Sequence, residues 1–127
     1  MGGSKTVLIF DDDSSIVDIL TYIFEERGWK VHSSEDSTNV LEKIDRYHPD
    51  LIMMDNNIPD CGGIVATQTI KKQENLHNIP VIFFSAHADV KALSWQAGAD
   101  YYLAKPFGLA HINNMIDQLF GNSPVEL

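Results

Sequence analysis

The sequence predicts an α/β fold, five βα rounds around a parallel sheet, and three observations carry that reading. Short apolar runs at 6–10, 51–54 and 81–84 alternate with longer segments whose apolar residues recur at helical spacing. Two of the runs, LIMM and VIFF, are apolar at every position, which fits strands buried on both faces. Polar residues stand directly behind the runs: Asp11 and Asp12, Asp55, Ser85 and, after the fifth strand, Lys105. Parallel strands deliver their carboxyl ends to one edge, so these side chains collect where open α/β sheets bind ligands.

The first strand, 6–10, ends in Asp11-Asp12-Asp13 with Ser14 and Ser15 behind, acids and hydroxyls suited to a helix N-terminus. Ile16, Ile19, Leu20, Ile23 and Phe24 then repeat at helical spacing, so a first helix packs one face on the sheet and stops at Gly28. The second strand, 29–33, alternates and is polar enough for an edge. A second helix is expected to open near Asp36 or Ser37, to carry Val40, Leu41 and Ile44 inward, and to end before Pro49. The third strand, 51–54, closes on Asp55. Asn56, Asn57 and Pro59 make a turn, and Gly62 and Gly63 allow a sharp exit into a helix over 63–73. The fourth strand, 81–84, reaches Ser85, and a fourth helix covers about 88–96. The fifth strand, 101–104, reaches Lys105-Pro106; the last helix puts Leu109, Ile112, Met115 or Ile116, Leu119 and Phe120 on one face.

Composition bounds the partners. A chain of 127 residues makes one domain, able to bury about two thirds of its unfolded surface. A formal net charge of −9 repels nucleic acid and anionic membranes and favours cations. The single cysteine, Cys61, excludes an internal disulfide and a cysteine-rich zinc site, and reads as a small loop residue. No apolar stretch approaches the roughly 18 residues of a membrane span and no secretory leader is visible, so a cytoplasmic location is expected. Residues 5–121 are read as the domain, 1–4 as a leader or cloning scar, and 122–127 as a C-terminal tail. Met1-Gly2 with Thr6 loosely fits a myristoylation pattern, although Met-Gly-Gly-Ser also fits a cloning scar.

The chemistry lies in the residues at the strand ends. If the first strand lies between the second and third, their acids face one another. Two carboxylates about 4 Å apart repel by about 4 kcal/mol at an effective dielectric near 20, so such a cluster calls for a proton or a cation. Mg²⁺ (or Mn²⁺) suits it, because these ions take oxygen ligands and Mg²⁺ needs only one or two protein carboxylates. A pocket combining that cation with an ammonium and a hydroxyl is shaped for a dianion such as a phosphoryl group, with Asp55 the candidate nucleophile. Taken singly, each residue has a plainer reading: Asp55 as a turn cap, Asp11 to Asp13 as helix caps, Lys105 as a surface lysine.

Taken together, FDDD at 10–13, MMDNNIP at 53–59, Gly62-Gly63, FFSA at 83–86 and AGADYYLAKPF at 97–107 resemble the receiver domain of two-component response regulators. The resemblance, which covers residues 5 to about 119, implies a single doubly wound (βα)₅ domain of flavodoxin-like type. Its five-stranded parallel sheet would have the order 2-1-3-4-5. It implies that Asp55 accepts a phosphoryl group from a sensor histidine kinase or histidine phosphotransfer protein. Asp12 and Asp55 would ligate Mg²⁺ directly, the Asn57 backbone carbonyl would add a third protein ligand, and Asp11 would act through water. Lys105 would pair with the phosphoryl oxygens, Ser85 would swing to hydrogen-bond one of them, and Tyr102 would turn inward in the active state. The Lys105-Pro106 bond would be cis. A downstream effector would read the face made by helix four, strand five and helix five. Such a domain catalyses only its own phosphorylation and dephosphorylation.

One departure stands out. Only 13 positions separate Ser85 from Gly98, fewer than such receivers commonly show, so helix four or the loop before it is shortened. His87, two residues after Ser85, reads either as a residue at the site rim or as an exposed loop histidine. Two rival functions are an enzyme of the haloacid-dehalogenase type and an unphosphorylated interaction module. The first has D-x-D-x-[TV] after strand one, which Asp11 to Ser15 matches only loosely, and the second is disfavoured by the complete residue set. No glycine-rich dinucleotide or Walker signature is present.

Overall fold

The computed structural model describes residues 4–121, in which strands and helices strictly alternate. In chain order they are β1 Thr6–Phe10, α1 Ser14–Glu26, β2 Lys30–Ser34, α2 Val40–Tyr47, β3 Leu51–Asp55, α3 Gly62–Lys71, β4 Val81–Ser85, α4 Val90–Ala97, β5 Tyr101–Ala104 and α5 Leu109–Phe120. Residues 1–3 and 122–127, which include most of the expected leader and the whole expected tail, lie outside the described residues. None of the described helices is long and apolar enough to cross a membrane.

All five strands pair in parallel, in the order β2-β1-β3-β4-β5. The expected fold is therefore the observed one. Every residue of β3 and β4 is buried, because helices cover both faces of the central strands. On one face Val7, Ile9, Met53 and Phe84 pack with Leu20, Ile23 and Phe24 of α1 and with Ile112 and Ile116 of α5. On the other, Leu8, Phe10, Met54 and Phe83 meet Val40 and Ile44 of α2, Ala66 and Ile70 of α3, and Val90 and Ala97 of α4. The edge strand β2 keeps its half-buried, partly polar character.

Local boundaries differ from expectation where side chains compete with the backbone. Helix α2 opens at Val40, not near Asp36 or Ser37. Residues 35–39 form a turn instead: the Thr38 N–H donates to Asp36 Oδ1, Lys43 Nζ reaches the same oxygen at 2.9 Å, and Ser37 Oγ donates to the Pro59 carbonyl at 2.9 Å. The Thr38 hydroxyl, followed by the Lys43 ammonium, draws the Asp36 carboxyl down to about 2. Trp29 stands outside β2. Its N–H donates to the Phe24 carbonyl, and its ring packs edge-on against Phe24 and Phe120 at 5.1 and 5.0 Å.

Helix α3 stops at Lys71, short of Gln73. The Lys71 ammonium there gathers the carbonyls of His77 and Ile79 and the Asp100 carboxylate, tying the α3–β4 connection to the start of β5. Helix α4, expected over about 88–96, runs Val90–Ala97 and has 8 residues.

Candidate functional site

Three strand ends converge at the carboxyl edge of the sheet. Asp11 follows β1 and is buried; its Oδ1 accepts the Asp13 N–H at 2.9 Å. Asp13 is the residue that caps α1, accepting the Ser15 N–H at 2.9 Å. The division of labour among three consecutive acids is thus set by geometry, with Asp13 turned to the helix and Asp11 to the cleft.

Asp55 ends β3 and is buried at 4% exposure, so its carboxylate has lost most of its water. Lys105 Nζ donates to Asp55 Oδ1 at 2.9 Å and to Asp11 Oδ2 at 3.2 Å, while the Asn57 N–H donates to Asp55 Oδ2 at 3.2 Å. Asp12 completes the group from the solvent side: one oxygen from each of Asp11, Asp12 and Asp55 lies within 4.8 Å of the others. That donor set, all hard oxygen with two buried carboxylates and one exposed, fits a small divalent cation that retains part of its water.

The electrostatics follow from two buried acids sharing one lysine, with a third acid on the solvent side. Burial pushes the Asp55 carboxyl above the usual carboxylate range; the Asp11 charge adds to the push, and the Lys105 hydrogen bond only partly opposes it. For Lys105, burial works against the charge, but the hydrogen bond to Asp55 and the charges of Asp55 and Asp11 outweigh it and hold the ammonium above its ordinary value. The cleft therefore carries excess negative charge around a firmly protonated lysine.

Ser85 ends β4 and is buried, with Oγ accepting the His87 N–H at 3.0 Å, and its carbonyl accepts the Lys105 N–H at 2.9 Å. The Lys105–Pro106 peptide is cis. His87 is exposed, and its Nδ1 accepts the Asp89 N–H at 3.0 Å, which fixes the ring to the loop leading into α4. Tyr102 is not part of the cleft here: 42% exposed, it lies outward on β5 and lines a groove of about 630 Å³ with Trp95, Tyr101 and Lys91. Cys61 is exposed, with Sγ 3.2 Å from Ser37 Oγ.

Asp11, Asp12, Asp55 and Lys105 are thus brought together, Ser85 lies at the next strand end, and Tyr102 stands apart. Sequence reasoning missed Phe84, whose ring lies 5.0 Å from the Lys105 ammonium and so lines the lysine's path. Nothing in an all-apolar run distinguishes a residue under a lysine from any other core residue.

A parallel sheet in this order, with a carboxylate cluster and a lysine at its carboxyl edge, defines a doubly wound α/β domain whose polar groups collect at one edge of the sheet. A family profile for the response regulator receiver domain matches residues 7–117. The chain is similar to the alkaline phosphatase synthesis transcriptional regulatory protein PhoP of Bacillus subtilis, 30% identical over 96% of this chain and 51% of that protein. It is also similar to the polar-differentiation response regulator DivK of Brucella ovis, at 28% identity over 94% of this chain and 99% of that one. Among solved structures, the receiver domain of sensor histidine kinase PA1611 of Pseudomonas aeruginosa, with a magnesium ion in its active-site cleft, superposes at a TM-score of 0.83. It is 26% identical over 94% of this chain and 100% of that one. The chain belongs to the response regulator receiver domain family, a signalling domain of two-component systems. It spans about half the length of PhoP and nearly all of DivK.

Proposed function

We propose that residues 5–121 act as a phosphoacceptor in which Asp55 takes a phosphoryl group from a sensor histidine kinase or a histidine phosphotransfer protein. The observation that carries this reading is the Lys105 ammonium 2.9 Å from Asp55, beside three carboxylates whose oxygens lie within 4.8 Å of one another. In the transfer an Asp55 carboxylate oxygen forms a bond to phosphorus, the bond from phosphorus to the donor imidazole breaks, and the imidazole leaves with the electron pair. The product is a mixed acyl phosphate on Asp55.

Asp12, Asp55 and the Asn57 backbone carbonyl would hold Mg²⁺ or Mn²⁺, with Asp11 acting through water. The bound ion would supply positive charge against the phosphoryl oxygens. Lys105 supplies the other positive charge, already placed between Asp11 and Asp55. The domain catalyses its own phosphorylation and dephosphorylation and no other reaction.

Ser85 and Tyr102 form the switch. A phosphoryl group adds acceptor oxygens that draw the Ser85 hydroxyl from its present bond to the His87 N–H, and Tyr102 turns into the space beside β4. The effector reads the change on the face of α4, β5 and α5, where Trp95, Tyr101 and Tyr102 are exposed. The net charge of −9 favours protein partners over nucleic acid or membrane, in the cytoplasm.

Intact-mass measurement after incubation with acetyl phosphate tests the reading. One phosphoryl mass is expected on the wild type only with divalent metal, and none on Asp55→Asn. Capture retained by Asp55→Asn and lost in Asp11→Asn would make Asp11 the nucleophile and overturn it.

A further inference from the structure

Gly63, the second residue of α3, lies against the backbone that ends β3. A Cβ there would overlap the Asp55 carbonyl oxygen and sit 2.9 Å from Asn56 Cα and 3.0 Å from the Asp55 carbonyl carbon. All three are backbone atoms, so no flexible side chain can swing aside. The Gly63 N–H meanwhile donates to the Asn56 carbonyl at 3.0 Å, so the close approach is also a bonded one. Gly63 needs no left-handed backbone. What the fold requires of it is the missing side chain.

The contact bears on one short turn. The Asp55 carbonyl accepts the Ile58 N–H at 3.3 Å, closing a turn with Asn56 and Asn57 at its centre. On the strand side, the Asn56 N–H is fixed to the Phe84 carbonyl of β4 at 3.0 Å. On the helix side, Gly63 is the fixed point. A group pressing on Asp55 and Asn56 from α3 therefore meets backbone already bonded to β4, which leaves the turn that carries Asn57 to take up the displacement.

We propose that Gly63 is a positioning residue for the divalent-cation site: by letting α3 seat on the Asp55–Asn56 backbone, it fixes the place of the Asn57 carbonyl relative to the carboxylate cluster. The proposal rests on the cation site assigned above. Gly62 is the natural contrast. Its φ of +84 makes any substitution strained, yet a Cβ there meets nothing within 4 Å, so its strain does not press on Asp55.

Equilibrium Mg²⁺ titration, followed by amide shifts and paired with urea unfolding, tests this on the wild type, Gly63→Ala, Gly62→Ala and Asp12→Ala. Gly63→Ala is expected to lose about tenfold or more in Mg²⁺ affinity, the scale seen when the support of a metal ligand is removed. Gly62→Ala is expected to unfold at lower urea while binding Mg²⁺ as the wild type does. Unchanged affinity in Gly63→Ala overturns the proposal. So does an equal loss in Gly62→Ala, since backbone strain alone would then suffice. A Gly63→Ala chain that does not fold even in the cold with a stabilising osmolyte also overturns it, because the contact would then serve folding rather than the metal. A wild type that binds no Mg²⁺, with Asp12→Ala indistinguishable from it, brings down the cation site itself and this proposal with it.

Discussion

The Lys105 ammonium lies 2.9 Å from Asp55 Oδ1 and bridges it to Asp11, so one lysine balances two buried carboxylates that would otherwise face each other unscreened. Both pairs join distant parts of the chain, and their geometry depends on β1, β3 and β5 sharing one sheet.

Removing the lysine should cost stability most where no metal can take over. Lys105→Met is expected to lower the metal-free protein's unfolding free energy by about 1–3 kcal/mol, below the cost for a fully buried pair because the cleft is open to water. Added Mg²⁺ should narrow the gap. Urea unfolding with and without Mg²⁺ checks this, and equal metal-free stability of variant and wild type would show that Lys105 does not balance the acids.

Asp55→Asn should stabilise the metal-free protein at neutral pH. The folded-state carboxyl of Asp55 is raised, so its contribution to stability is fully present below the unfolded pKa and is lost as pH rises through the folded one. At neutral pH the wild type therefore holds an unfavourable charge that asparagine removes. The gain should vanish as the pH falls and the wild-type Asp55 takes up its proton. Thermal unfolding across that range, without metal, reads the crossover. A gain that grows on acidification would contradict the raised carboxyl.

Asp12 is exposed, so its proposed role in binding can be measured apart from any role in folding. Asp12→Ala is expected to weaken Mg²⁺ affinity severalfold or more while changing stability by no more than about 0.5 kcal/mol. Affinity of the wild type should also fall on acidification, because protons compete for the carboxylates. Undiminished affinity in Asp12→Ala, measured by calorimetric titration, would remove Asp12 from the metal shell.

The proposed Ser85–Tyr102 switch is expected to be incomplete. Moving an equilibrium from 1:99 to 99:1 takes about 5.5 kcal/mol, and one or two charge-assisted hydrogen bonds supply about 1.5–3 kcal/mol each. Free protein should therefore sample the inward Tyr102 state, and beryllofluoride should enrich it. Ser85→Ala should still be phosphorylated at Asp55 yet lose most of the enrichment. Relaxation-dispersion NMR over residues 86–104 is the measurement; identical exchange and shifts with and without beryllofluoride at saturating Mg²⁺ would remove the coupling.

The strands were legible because burial leaves a local trace. The all-apolar runs of β3 and β4 appear as such only when helices cover both faces, and the helical stripes of α1 and α5 repeat at a spacing that only a one-sided helix needs. Boundaries read less well where short polar side chains bind nearby backbone: the Asp36–Thr38 turn delays α2, and neither its partner Lys43 nor the anchor at Pro59 marks the start of a helix in sequence.

For the candidate site, the sequence alone determined which side chains stand at the strand ends, since the end of each apolar run is a local property; that these ends share one edge follows from the parallel sheet. Tertiary structure alone decided that Asp13 is the acid that caps α1 while Asp11 is buried at the cleft, that Phe84 lies beside the Lys105 ammonium, and that Tyr102 stands outward on β5. It also decided that Gly63, read from sequence as a residue easing a sharp exit, is needed for the bare approach of α3 to the Asp55 carbonyl. The reason is the same in each case: a strand's in-and-out pattern fixes where a residue sits along one element, whereas distances between elements depend on register and packing, to which residues far apart in the chain contribute jointly.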